Sequence, residues 1–177
     1  MRPHRCVACG AASRPIGEPL AIIGHGLRAR QVRGPARVGA PPKTRTLWVR
    51  RYLCLGCAAV LTVVPREVIA RKHFAVTAIG LAFAMVGLLG LSQGAAWAAV
   101  SGWGVPYGGW VTLRRWARSV VSQELLRCVR AAPREWSLAR VAERVATTLI
   151  AQRPAGALSG APLEDVFAGA ALVAHLG

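Results

Sequence analysis

The sequence predicts an α+β protein, with short strands in its N-terminal third and a mainly α-helical region after them. Three observations lead there. Runs of β-forming residues adjoin cysteine pairs ahead of residue 70. Residues 74–113 carry no charged side chain and place apolar residues at helical spacing. Apolar stripes of the same period recur beyond residue 112. The expected segments are 1–70, 71–132 and 133–177.

The N-terminal segment is organised by its cysteines. Of five in the chain, Cys6 and Cys9 form one C-x-x-C pair and Cys54 and Cys57 another. That spacing lets two thiolates grip one metal from a single tight turn. Glycine within or after the turn, here Gly56 and Gly10, permits a backbone that aims N–H groups at sulfur. Two such turns supply four thiolates, the donor set of a closed tetrahedral structural Zn²⁺ site. Rival readings are two disulfides or two local redox motifs. The redox reading lacks the βαβ setting it needs. With the first cysteine at position 6, no secretory signal is expected ahead of the pairs. His4 and His25 are alternative ligands, expected to face solvent while four cysteines are present. Cys128 stands alone in a helical pattern and is expected to be a small core residue.

The strands follow from composition. Stretches at 20–23 and 46–53 are strand-like, and 47–54 runs straight into the second cysteine pair. Residues 59–64 read as its partner strand and stop at Pro65. The 44 residues between the pairs are rich in Gly, Pro and Arg, so a hairpin with a long flexible tip is expected there. Few large apolar residues lie in 1–45, so a metal would supply much of the order there. The succession of cysteine pair, arginine-rich hairpin, Arg50-Arg51-Tyr52-Leu53-Cys54, cysteine pair and strand resembles the N-terminal zinc ribbon of insertion-sequence transposases. It also resembles that of the small transposase-like proteins related to them. The likeness extends over about residues 4–120, with the cysteine frame as its specific part. It implies a helix-turn-helix after the ribbon and duplex DNA as partner.

The uncharged run at 74–100 admits two readings. Its 27 residues are long enough to span a bilayer, and basic residues flank it. Yet Gly90 followed by Leu91-Ser92 has the form of a helix stop and a fresh N-cap. Helices at 74–89 and 92–100, each too short to span, are the preferred expectation. Phe74, Ala78, Leu81, Met85 and Leu88 lie at the three- and four-residue steps of a buried helix face. The stretch 98–102 has the small-residue-to-glycine form of a turn between crossing helices. A glycine-rich loop at 104–110, longer than such turns usually are, follows it.

From Thr112 a helix is expected through about Ala131. Leu113, Trp116, Ala117, Val120, Val121, Leu125 and Cys128 form its apolar stripe, while Arg114, Arg115 and Arg118 fall largely off it. An arginine-bearing first turn suits a recognition helix in the major groove. It suits a solvated charged face equally well. Five aromatics between Trp97 and Trp116 are expected to pack in the core rather than to stack on bases. Pro133 ends the helix. Ser137 caps another through about Gln152, a linker occupies 153–162, and 163–176 forms a last short helix or stays mobile.

Charge sets the functional expectation. The chain has 23 Lys+Arg against 7 Asp+Glu, a net charge of +16. Fourteen basic and two acidic residues lie in 1–73, nine basic and five acidic in 114–177. Such an excess favours polyanionic partners. A single aspartate, Asp165, and six glutamates argue against a multi-carboxylate Mg²⁺ site, and no phosphate-binding glycine loop or nucleophile–base trio is present. The expectation is a non-enzymatic, zinc-dependent, duplex-DNA-binding protein, cytoplasmic and nucleoid-associated, with a homodimer as one arrangement. Its DNA contacts are assigned to Arg50, Arg51, Arg114, Arg115 and Arg118. The alternatives are a membrane-anchored zinc ribbon spanning at about 74–100, and a ribbon that serves as a protein or RNA adaptor.

Overall fold

The structure, a computed structural model, describes residues 2–65, 67–69, 72–102, 110–156 and 160–173. Three strands come first and five helices after them, the predicted α+β order. Strands β1 (Ile22–Gly34), β2 (Lys43–Cys54) and β3 (Val60–Val63) form one sheet in the order β1-β2-β3. β2 and β3 run antiparallel, with Arg50 opposite Val63 and Tyr52 opposite Leu61.

The chain divides into two compact units. The first comprises residues 1–31 and 45–65, and its core is small: Cys6, Ile22, Tyr52, Cys54 and Leu61. Two of these five are candidate metal ligands, which leaves Ile22, Tyr52 and Leu61 as its large non-ligand side chains.

The second unit comprises residues 32–44 and 66–177. Its helices are α1 (Val76–Gly87), α2 (Gln93–Ser101), α3 (Val111–Val121), α4 (Leu138–Ala151) and α5 (Pro162–Val173). α1 packs against α2, α4 and α5, and α4 packs against α5 and α3. A helix that is apolar on every side must be buried on every side, and nine of the twelve residues of α1 are buried. The small residues permit the crowding. A Cβ on Gly87 would overlap the backbone of Glu143 in α4, and one on Gly169 in α5 would overlap the carbonyl of Leu149.

The uncharged run breaks where the sequence indicates. Gly90 takes φ +62°, and Ser92 caps α2 by accepting a hydrogen bond from the Ala95 N–H at 3.1 Å. Twelve residues make α1 about 18 Å long, well short of the roughly 30 Å of a bilayer core. Among the described residues no helix is long and apolar enough to cross a membrane. Trp110 and Trp116 are buried and meet edge to face at 5.1 Å, with Phe74 5.0 Å from Trp116 and Trp97 5.3 Å from Trp110. Trp110 and Trp116 are core, as expected, and Trp97 is half-buried beside them; Trp103 and Tyr107 lie outside the described residues, as does most of the glycine-rich loop at 104–110.

Two expectations are corrected. The arginine-rich hairpin does not end in a long flexible tip. β1 and β2 are continuous to Gly34 and from Lys43, and Val32, Gly34 and Pro35 are buried in the second unit. There the Arg33 N–H donates to the His73 carbonyl at 2.7 Å, and the Ala75 N–H donates to the Arg33 carbonyl at 2.9 Å. Gly34, at φ +142°, lies so close to Ala78 that a Cβ would stand 2.6 Å from that side chain.

The helix from Thr112 does not continue to Ala131 either. α3 ends at Val121, and Gln123 (φ +60°) and Leu126 (φ +52°) turn the backbone left-handed. The Gln123 amide donates to the carbonyls of Val120 (3.1 Å) and Val129 (3.2 Å), bridging the helix end to the turns beyond it. Leu125, Leu126 and Val129 are still buried, but from turns rather than from a helical stripe. α4 starts at its predicted cap, with Ser137 accepting from the Arg140 N–H at 3.3 Å.

Candidate metal centre

Each cysteine pair sits in a knuckle, and the two knuckles are built alike. In the first, the Gly10 N–H donates to the Cys6 carbonyl at 2.8 Å and the Cys6 N–H to the Ala11 carbonyl at 2.9 Å. In the second, the Ala58 N–H donates to the Cys54 carbonyl at 2.8 Å and the Cys54 N–H to the Ala59 carbonyl at 3.0 Å. The residue after the second cysteine is left-handed in both, Gly10 at φ +75° and Ala58 at φ +57°. The leading cysteines Cys6 and Cys54 are buried, while Cys9 and Cys57 are exposed. A bridge between Arg5 and Ala12 closes the first knuckle, and the hairpin of β2 and β3 carries the second.

The four sulfurs converge, with every pair within 4.8 Å. Cys6 Sγ lies 3.7 Å from Cys57 Sγ, and Cys9 Sγ lies 3.7 Å from Cys54 Sγ. The closest contacts therefore cross from one knuckle to the other. In a tetrahedron with metal–sulfur bonds of about 2.3 Å, the sulfur–sulfur edge is about 3.8 Å. A disulfide would need about 2.05 Å, so the two-disulfide alternative is not what this arrangement holds. Four thiolates suit borderline and soft metals, Zn²⁺ among them, in a site closed to substrate.

Proton affinities within the quartet are uneven. Backbone N–H groups of Cys9 and Ala8 hold the Cys6 thiol down to about 6. At Cys57 the Ala59 N–H favours the thiolate, yet the Cys9 side chain, burial and the Cys6 and Cys54 side chains push it up to about 12. Four adjacent thiolates repel one another, and a bound dication is what lets all four ionise together. His4 and His25 are exposed, and neither belongs to the convergent set. Cys128 is half-buried, with its thiol 3.9 Å from the Leu126 carbonyl and pushed up by burial.

The arginines assigned to DNA occupy both units. Arg50 is exposed on β2, and Arg51, its neighbour on the opposite face, is half-buried with its Nε atom out of solvent. Arg114, Arg115 and Arg118 are exposed on α3, whose other side is fixed by buried Leu113, Trp116, Ala117 and Val120. Sequence reasoning passed over Arg134, Trp136, Arg140 and Arg144. Steps of four from Trp136 to Arg140 and on to Arg144 were the available signal. Arg140 lies 4.5 Å and Arg144 5.5 Å from the centre of the Trp136 ring. No family model, curated protein or solved structure matches the chain.

Proposed function

We propose that this protein is a zinc-dependent, duplex-DNA-binding protein of transposase-related type. Zinc binds Cys6, Cys9, Cys54 and Cys57 and fixes the ribbon, so that Arg50 and Arg51 meet phosphates. Arg114, Arg115 and Arg118 enter a groove from α3, and α2 with α3 serves as the helix-turn-helix. The observation that carries the DNA reading is the mounting of α3. Its three arginines are exposed on one side while a tryptophan, a leucine and a valine lock the other into the core. A side chain on a rigid element is positioned far better than one on a loop.

The test joins metal analysis to a salt titration of duplex binding. One zinc per chain is expected. Log affinity should fall linearly with log salt, with a slope of about −0.9 per phosphate neutralised. Replacing Arg114, Arg115 and Arg118 together by alanine should flatten that slope by roughly three contacts. An unchanged slope in the triple variant, or duplex affinity indifferent to salt, defeats the reading.

A second reading, a ribbon for RNA or other single strands, draws on Trp48. This side chain is 67% exposed on β2 beside basic residues, as a base-stacking aromatic would be. Tighter binding to a single strand than to a duplex of equal length, lost in Trp48→Ala, would select it.

A further inference from the structure

A groove of about 570 Å³ opens on the second unit where α3 meets the start of α4. Its floor is apolar: Ala117 and Val121 from α3, Leu138 and Val141 from α4. Trp136 forms a wall. Three guanidiniums, of Arg114, Arg118 and Arg134, stand at its edge, and no carboxylate lines it. Glu124, Glu135 and Glu143, the acids nearest in sequence, are exposed and take no part in the lining. Arg140 and Arg144, stacked against Trp136, add cationic charge beside that wall.

The geometry points to a binding site for a small amphipathic anion, with an apolar body on the floor and a carboxylate or similar group held by Arg118 and Arg134. Three features select this occupant. The volume falls within the range of small-molecule pockets, roughly 300–1,000 Å³. The floor is recessed, since Ala117 and Val141 are buried and Val121, Leu138 and Trp136 are half-buried. A slim apolar body reaches them more readily than the broad face of a partner helix. Beside the neutral, exposed Ser122, every charged group in the lining is a cation, and guanidinium is the side chain best shaped for two-point contact with a carboxylate. A phosphate backbone would use the rim but leave the apolar floor wet.

The site goes beyond the DNA reading and stands without it. Arg114 and Arg118 belong to both surfaces, however. If α3 reads DNA, the anion and the duplex compete, and the groove is where a metabolite would release the protein from its site.

Calorimetric titration of the full, metal-containing chain with octanoate and with octan-1-ol tests this. Octanoate is expected to bind one site per chain, at least about tenfold tighter than the alcohol, the ratio of one charge-assisted hydrogen bond. Arg134→Ala, at an exposed position, should weaken octanoate about tenfold and leave the alcohol unchanged. Val121→Trp should fill the groove and remove both. Should that variant fold poorly, the Arg134→Ala comparison decides alone. Equal affinity for acid and alcohol, no saturable binding below the micellar concentration, or octanoate binding indifferent to Arg134→Ala would overturn the site. So would an acidic amphipathic peptide that binds these residues where octanoate does not. Duplex binding measured without octanoate reports on the DNA reading alone, so the two failures are distinguishable.

Discussion

The two units are held together by different means. The second buries whole helices, and α1 has apolar neighbours on three sides. The first has a core cluster of five residues, two of them cysteines of the candidate metal site. Burial at about 25 cal/mol per Å² supports the helical unit. For the ribbon, the proposed structural zinc, with roughly 10–16 kcal/mol of apparent binding energy, would outweigh what so small a core can contribute. On the proposed zinc binding, one molecule contains a metal-dependent fold and a packing-dependent fold, and each should fail under a different insult.

The sharpest separation should come from Cys54→Ser. The variant is expected to lose its metal and the amide-exchange protection of residues 45–63, while α1, α4 and α5 keep theirs. Simultaneous loss in both units would show that the division is not energetic. The converse is Gly169→Val. Overlap with the Leu149 carbonyl should cost roughly 3 kcal/mol, lowering the melting temperature of the helices while metal content stays at one per chain.

Acid should act on the ribbon first. A thiolate whose proton affinity is lowered on folding stabilises the fold above its ordinary value of 9.0 and loses that effect as pH falls, for Cys6 through about 6. Protons also compete directly with the metal. Metal release followed with a chelating dye should therefore begin on the acid side of neutrality, before helical circular dichroism changes.

The smallest expected effect distinguishes the knuckles. Ala58 occupies the left-handed position that Gly10 fills in the first knuckle. Ala58→Gly should stabilise the ribbon by about 1 kcal/mol, and Gly10→Ala should destabilise it by about as much. Both are readable as shifts in metal affinity at fixed pH.

What the sequence made legible was local. Cysteines three apart announce a knuckle, Ser92 and Ser137 announce helix starts, and Gly90 announces a stop, because each acts within one turn of chain. The fate of the hairpin tip was hidden because its partners, His73 through Ala78, lie some forty residues downstream of Val32 and Gly34. The early end of α3 was hidden for another reason. Gln123 and Leu126 adopt conformations that their residue types disfavour, and a glutamine side chain bridging two carbonyls compensates. The groove beside Trp136 escaped notice because it is assembled by α3 meeting α4, which no single stretch of sequence displays.

The interleaving of the two units has a practical corollary. Residues 32–44 lie, in chain order, inside the span of the ribbon, yet they belong to the helical unit. Any fragment that stops after Pro65 leaves Val32 and Pro35 stripped of their cover, and one that starts there deprives α1 of the segment laid against it. During synthesis this segment leaves the ribosome with the ribbon but gains its cover only once α1 has followed. Dissection of this protein therefore calls for internal loop replacement rather than truncation.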